Sequence, residues 1–208
     1  MARILIACEE SGALRDRFRD AGHKAWSCDI LPGRGKYGNK YHFAMDVRAV
    51  LHLPWDLMIA HPPCTYLSSS GLHWNKKDPA RAQLTQEAAE FFMMLWNQNH
   101  IPRIAIENPV GYMSSYFRKP DQYIQPYEFG DDASKKTGLW LKGLPKLVPT
   151  ERVDGRIVNG KERWANQTDS GQNRLAPGPE RAKERSVTYP GIADAMVAQW
   201  NLLLEGRL

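Results

Sequence analysis

The stretch RILIACEESGALRDRFRDAGHKAWSCDI, residues 3–30, decides the fold. Arg3-Ile4-Leu5-Ile6-Ala7-Cys8 is a short, continuous apolar run, the pattern of a strand buried on both faces. Residues 12–21 change period. Leu14 and Phe18 lie four apart with Arg or Asp elsewhere, so one face of a helix is apolar. Gly22-His23 ends that helix. Lys24 to Ile30 reads as a second strand, closed by Leu31-Pro32-Gly33.

The same alternation runs outward from there. Residues 33–42, rich in Gly, Lys and Tyr, read as a loop. Asp56-Leu57-Met58-Ile59-Ala60 is a strand stopped by Pro62-Pro63. In residues 79–98, Leu84, Ala88, Phe91 and Leu95 recur at helical spacing and Pro79 suits a first turn. Arg103 to Ile106 is a strand ended by Asn108-Pro109, and Thr137 to Leu141 is a further one. Strands alternating with helices predict an α/β domain with a mostly parallel sheet and helices on both faces. From about residue 142 the periodicity breaks at Pro145, Pro149, Pro177 and Pro179, which predicts a small, basic, loop-rich insert. Residues 190–204 return to helical spacing, with Ile192, Met196, Trp200 and Leu203 as the apolar stripe. The expected division is therefore 1–141, 142–188 and 189–208.

Composition bounds the possibilities. A chain of 208 residues is one ordinary domain, or one with a small appendage. At 42% hydrophobic and 25% charged it is not a disordered chain. Its longest dense apolar stretch, Phe91-Phe92-Met93-Met94-Leu95-Trp96, is too short to span a membrane. Arg3, Glu9 and Glu10 interrupt the place where a signal peptide needs an apolar core, so a cytoplasmic protein is expected. The net charge is +5, and residues 142–185 hold ten Lys or Arg against six Asp or Glu. Nearly all the excess lies in that segment, which suits a polyanionic partner; a solvated basic surface is the plainer reading. The three cysteines, Cys8, Cys28 and Cys64, are odd in number and form no CxxC pair, so neither a disulfide framework nor a cysteine-rich zinc site is expected. His61-x-x-Cys64 lacks a second pair to complete a metal shell, so no metal is expected.

Ligands of open α/β sheets bind at the carboxyl ends of the strands. Here those ends read Cys8-Glu9-Glu10-Ser11-Gly12, then Asp29, then Asp46 after Phe43-Ala44-Met45, then His61-Pro62-Pro63-Cys64, then Glu107-Asn108-Pro109. Each has a plain reading: Asp29 as a turn cap, Gly12 as a tight turn, Cys64 as an inert thiol. Two prolines, however, fix the backbone and hold the next side chain in one direction. A carboxylate following the apolar run Ile104-Ala105-Ile106 is costly unless paired or working. Together the row suggests a nucleotide-like ligand beside a reactive centre.

In this order the chain resembles a DNA (cytosine-5) methyltransferase of a shortened, phage-type form, along residues 3–141 and more loosely to the C-terminus. Residues 56–68, with Pro63-Cys64 and the downstream Ser68, are similar to the catalytic loop of that family. Ile104-Ala105-Ile106-Glu107-Asn108-Pro109 resembles its Glu-Asn-Val motif, and Leu5 to Gly22 its S-adenosylmethionine loop. The resemblance implies a Rossmann-like, SAM-dependent methyltransferase fold. It makes 1–141 the cofactor-binding catalytic domain, 142–188 the DNA-recognition insert and 189–208 a helix packing back on the catalytic domain. It implies S-adenosyl-L-methionine as cofactor, with Cys8, Glu10, Gly12, Asp29, Ile30, Asp46 and Pro62 around it. Cys64 would be the nucleophile, Glu107 a carboxyl of raised pKa at ring nitrogen 3, and Lys136, in Lys135-Lys136-Thr137, the basic support of the loop. DNA would be the partner, contacted by Ser68, Arg163, Arg174, Arg181 and Arg185, with Trp164 and Tyr189 either stacking on bases or packing in a core. The enzyme would be a monomer in the cytoplasm, the host's if phage-encoded, and protection from restriction is a natural role. The chain departs from the family at Glu10, where a glycine is usual, at His61 in place of a small residue, at Thr65 in place of Gln and at Pro109 in place of Val.

Two other functions fit some of these residues. His61-Pro62-Pro63-Cys64 also looks like the Pro-Pro-aromatic motif of enzymes that methylate exocyclic amines of adenine or cytosine, without the aromatic. A non-catalytic DNA-binding protein on a methyltransferase scaffold would suit Glu10 and the small insert. A Cys64→Ala variant separates the three: it abolishes turnover in the first, spares it in the second and leaves DNA affinity alone in the third.

Overall fold

The computed structural model describes residues 1–176, 178 and 184–206. Its strands are β1 Arg3–Ala7, β2 Lys24–Asp29, β3 His42–Ala44, β4 Leu57–Ala60, β5 Ile104–Pro109, β6 Gln122–Ile124, β7 Thr137–Lys142, β8 Arg156–Val158 and β9 Lys161–Arg163. Its α-helices are α1 Ala13–Asp20, α2 Pro79–Trp96, α3 Met113–Tyr116 and α4 Pro190–Leu204. The main sheet has the order β3-β2-β1-β4-β5-β7-β6. Strands β1 to β5 pair in parallel, and β7 runs antiparallel to both β5 and β6. The architecture is the expected α/β, Rossmann-like one.

Period-two alternation divides the core between the two sheet faces. Ile4 and Ile6 of β1, Leu57 and Ile59 of β4, and Ala105 of β5 pack with Leu14 and Phe18 of α1 and with Ile192, Met196 and Trp200 of α4. Leu5, Ala7, Met58, Ala60, Ile104 and Ile106 face the other way, onto Ala89, Phe92 and Leu95 of α2 and onto Trp140. The buried face of α2 is Thr85, Ala89, Phe92 and Leu95, one residue on from most of the expected stripe, and Leu84 is 38% exposed. The helix is apolar over a broad arc, so spacing alone does not choose its inner face. Thr85 turns inward because its hydroxyl donates to the Tyr66 carbonyl at 3.1 Å and receives the Asn75 amide at 2.9 Å.

Strand order reverses between β1 and β4, which places the ligand crevice of such a sheet between their carboxyl ends. The Cys8–Gly12 turn and the His61–Cys64 segment flank it. The region expected to be a loop-rich insert contains the β8–β9 hairpin, a second small sheet. Its turn, Asn159-Gly160, has φ of 49° and 73°, the left-handed pair that two-residue hairpins require. Asn-Gly was a readable hairpin signal, but the flanking strands are only three residues each and offer no clean alternation.

Candidate active site

At the end of β1 the chain turns sharply: Cys8 has φ 59°, left-handed for a residue with a side chain. The turn aims Glu9 under α1, where its carboxylate accepts the amides of Leu14 (2.8 Å) and Arg15 (3.4 Å) and the Ser11 hydroxyl (3.4 Å). Glu9 thus satisfies donors that a helix N-terminus leaves open. Burial nonetheless pushes its carboxyl above the ordinary value, more than these hydrogen bonds and the charges of His61 and Arg15 pull it down.

Glu10 takes the opposite direction. Its two oxygens accept the Arg34 guanidinium at 2.5 and 2.6 Å, and its carbonyl accepts the Arg34 amide. Arg34 belongs to the 33–42 loop, which is stapled to α1 by the fully buried Arg15. That guanidinium donates to Ser27 Oγ (3.1 Å), the Gly38 carbonyl (2.9 Å), the Arg34 carbonyl (2.6 Å) and Asp16 (2.7 Å). Gly12 has φ 76°, and a Cβ there would lie 2.5 Å from Arg15 Nη2 and 2.9 Å from the Arg34 carbonyl. The glycine is required by close approach as well as by its turn.

The next strand ends complete an acidic edge. Asp29 accepts the Leu31 amide at 2.9 Å, and beside it Ile30 is 77% exposed. Asp46 accepts the Arg48 amide at 2.9 Å and its guanidinium at 2.6 Å; the amide first, then the guanidinium, hold its carboxyl below the ordinary value. Burial drives the Cys8 thiol far up, and the neighbouring Asp29, Cys28 and Asp46 push the same way. The Cys28 thiol is pushed up to about 12 by burial, then by Asp29 and Asp46. Both thiols are therefore neutral and unreactive at physiological pH.

The other bank of the crevice carries Cys64. The His61 amide donates to the Ala7 carbonyl (2.9 Å), continuing the β1–β4 pairing. Pro62 is buried, whereas Pro63, Cys64 and Thr65 are exposed. The Cys64 carbonyl accepts the amides of Leu67 and Ser68 (3.1 and 3.0 Å), closing a turn anchored by the buried Leu67. The exit of β5 clamps this turn. Tyr112 donates to the Leu67 carbonyl (2.8 Å), and a Cβ on Gly111 would lie 2.0 Å from that oxygen. Asn108 Nδ2 donates to the Pro62 carbonyl at 3.0 Å. The Cys64 loop and the Glu107 strand are thereby one unit.

Glu107, with a side chain only 11% exposed, meets His61 Nδ1 at 3.0 Å and Lys135 Nζ at 3.8 Å. The sequence led us to expect a raised pKa here, and the structure corrects this. Burial does push the carboxyl up and is the largest single influence. The Lys135 charge, with the hydrogen bond and charge of His61, outweighs it and holds the pKa at about 2. Neither partner was foreseen. Lys135, rather than its neighbour Lys136, reaches Glu107; it also donates to the Arg185 carbonyl at 2.8 Å, while Lys136 lies 4.6 Å over the Tyr123 ring. Adjacent residues leave a chain on opposite sides, so sequence proximity could not choose between them. Two buried polar atoms at this site, His61 Nε2 and Asn108 Oδ1, have no hydrogen-bond partner among the described residues.

The expected DNA contacts are spread over different settings. Ser68 is half-buried, with Oγ 3.1 Å from Ser70 Oγ. Arg163 is tied within the insert to the carbonyls of Asp169 and Glu162 (3.1 and 2.9 Å). Arg174 and Arg185 are exposed, and Arg174 borders a cavity of about 240 Å³ with Asn166, Asn173, Leu175 and Tyr189. Arg181 lies outside the described residues. Trp164 is buried and stacked on Tyr127 at 4.0 Å, with Nε1 donating to the Val153 carbonyl, so it forms the small core of this region. Tyr189 is half-buried, and its hydroxyl accepts Asn166 Nδ2 at 3.3 Å. Among the described residues no helix is long and apolar enough to cross a membrane, and no three His, Cys, Asp or Glu side chains are grouped to hold a metal ion.

No protein-family model matches the chain, and no curated protein is similar to it in sequence. Several solved structures are similar in fold. One, described as a DNA modification methyltransferase encoded within an E. coli prophage, is 14% identical with a TM-score of 0.43, over 68% of this chain and 46% of that one. The Entamoeba histolytica methyltransferase EhMeth is 14% identical with a TM-score of 0.47, over 74% and 58%. A mutant of Spodoptera frugiperda DNMT2 is 15% identical with a TM-score of 0.41, over 74% and 54%. The chain spans about half the length of these structures.

Proposed function

We propose that the chain transfers a methyl group from S-adenosylmethionine to carbon 5 of cytosine in DNA, with Cys64 as the nucleophile. One observation carries this reading: the Asn108 amide on the Pro62 carbonyl joins the loop of an exposed cysteine to the strand of a buried carboxylate on one bank of the crevice. The chemistry needs that pair. Carbon 5 of cytosine is a poor nucleophile until a thiolate adds to carbon 6 and the displaced electron pair is stabilised at nitrogen 3. Cys64 supplies the thiolate, and Glu107 faces nitrogen 3. A base in a duplex is out of reach, so it must leave the stack, which costs a few kcal/mol.

The donor set fits the cofactor. S-adenosylmethionine is a cation with a ribose diol and a flat adenine. The acidic edge at Asp29 and Asp46 suits the diol and the adenine amine, and the exposed Ile30 offers an apolar surface to the ring. Cys8, Glu10, Gly12 and Pro62 line the turn and the loop on either side of the crevice. When bound, the cofactor supplies an electrophilic methyl group. Residues 142–188, with Arg174 and Arg185 exposed, are the segment we assign to DNA phosphates.

The test is trapping on 5-fluorocytosine DNA with S-adenosylmethionine. A denaturation-resistant adduct that maps to Cys64 and disappears in Cys64→Ala is the expected result. DNA binding without any adduct would overturn the cytosine-5 reading. A second reading, methylation of an exocyclic amine, draws on the ionised Glu107, which can accept a hydrogen bond from such a group. It predicts that Cys64→Ala keeps its turnover.

A further inference from the structure

Two buried histidines and the part-buried His61 allow an internal comparison. His23 uses both ring nitrogens, on the Ala2 amide at 3.1 Å and on Asn201 Oδ1 at 2.5 Å. His42 does the same, on Ser27 Oγ and on the Leu31 carbonyl, both at 2.8 Å. These are the bonding patterns of histidines that only hold structure. His61 differs. Its Nδ1 meets Glu107 at 3.0 Å, its side chain is 10% exposed, and its Nε2 is buried without a partner among the described residues. An unsatisfied buried nitrogen beside a carboxylate calls for an explanation in chemistry rather than packing.

Building on the cytosine-5 reading above, we propose that His61 is the positioning residue that supplies Glu107 with the proton for nitrogen 3 of the target base. A carboxylate held ionised by Lys135 and His61 has no proton of its own to give. In its imidazolium form His61 does. As the Cys64 thiolate bonds to carbon 6, the displaced electron pair is taken up at nitrogen 3, which gains a proton from Glu107. Glu107 takes the His61 Nδ1 proton on one carboxylate oxygen before it passes a proton on to nitrogen 3, so it ends as the carboxylate and the net change is one proton from His61 to the base. Once carbon 5 is methylated and has lost its hydrogen to solvent as a proton, the sulfur–carbon bond breaks. Cys64 leaves as the thiolate, and the nitrogen 3 proton returns through Glu107 to His61.

The charges facing His61 come from three elements: Glu107 on β5, Glu9 on the turn after β1, and Lys135 ahead of β7, which acts on it through Glu107. None of them except Glu107 bonds the ring, so a Gln at position 61 can keep the hydrogen bond to Glu107 while having no proton to pass on.

The experiment measures single-turnover methylation and 5-fluorocytosine adduct formation for the wild type and His61→Gln across about pH 5–9. The relay predicts a wild-type rate that falls on the alkaline side. It predicts that His61→Gln is slower by about 10²-fold near neutrality and has lost that limb, with cofactor and DNA affinities unchanged. A variant within twofold of the wild type and with the same pH profile would show that His61 only holds structure. Should His61→Gln fail to fold, the wild-type profile still decides. A rate that only climbs with pH, as thiolate formation alone would give, overturns the relay. Absence of any wild-type adduct removes the cytosine-5 reading and this inference together, which distinguishes that failure from the others.

Discussion

Two buried glutamates at one site are driven in opposite directions. Burial opposes the charge on both, but Glu107 has Lys135 and His61 within reach, whereas Glu9 has mainly helix amides. Opposite signs of pH dependence follow. Glu107 has a depressed folded value, about 2 against an ordinary 4.5, so its stabilising effect is complete above the unfolded value and is lost as pH falls toward 2. Glu107→Gln should therefore be less stable than the wild type near neutrality, with the gap closing on acidification, as urea midpoints at several pH values will show. Glu9 has a raised value, so its burial costs stability above that value and the cost is relieved as pH falls through it. Glu9→Gln, which keeps an oxygen for the Leu14 amide, should match or exceed the wild type in urea near neutrality and lose that advantage in acid. A clear loss at both pH values would mean that the α1 N-terminus needs the full anion.

Between elements, the strongest joint is Arg15. It reaches from α1 to β2 through Ser27, and to the 33–42 loop through two carbonyls, while Arg34 returns from that loop to Glu10. The loop lies far from α1 in register yet forms part of the same turn. Arg15→Met removes four donor contacts, among them those to two part-buried carbonyls, and leaves Asp16 with the Lys36 amide alone, at a cost of about 3–5 kcal/mol. The expected result is a lower urea midpoint, with new proteolytic cleavage at residues 33–42 and little change at α4. Cleavage spread evenly over the chain would show that the joint is global. The comparable joint on the other bank, Asn108 on Pro62, is a single hydrogen bond and orders the Cys64 loop rather than the fold.

Across the whole molecule, the basic segment is coupled to the reactive bank. Asn166 and Ser134 exchange hydrogen bonds at 2.9 and 3.0 Å, Asp132 accepts the Ala165 amide at 2.9 Å, and the next residue in the chain after Ser134 is Lys135. The Arg174 amide donates to the Asn166 carbonyl at 2.9 Å and the Arg185 carbonyl accepts Lys135 Nζ at 2.8 Å, so both arginines lie within a few residues of Glu107. DNA affinity should fall steeply with salt, since phosphate contacts release counterions. Arg174→Ala should weaken binding of all sequences alike and lower the slope of log affinity against log salt by about one unit. A slope that does not change, measured by fluorescence anisotropy, would remove Arg174 from the phosphate contacts.

Local patterns alone determined the α/β class, β1, α1, β2, β4, α2 and α4, because apolar runs and helical spacing report burial directly. They also placed the candidate residues at strand ends, since Pro62-Pro63 and the carboxylate after Ile106 stand out within their own segments. Strands β3, β6, β8 and β9 were not legible, being three residues each and too short for a period to show. The inner face of α2, the choice of Lys135 over Lys136, the pairing of Glu10 with Arg34 and the ionised state of Glu107 were decided only by the tertiary structure. Each depends on a partner distant in the chain: Tyr66 for Thr85, Glu107 for Lys135, Arg34 for Glu10. A side chain's charge state and direction are set by what the fold brings within a few ångströms of it, and no periodicity along the chain carries that information.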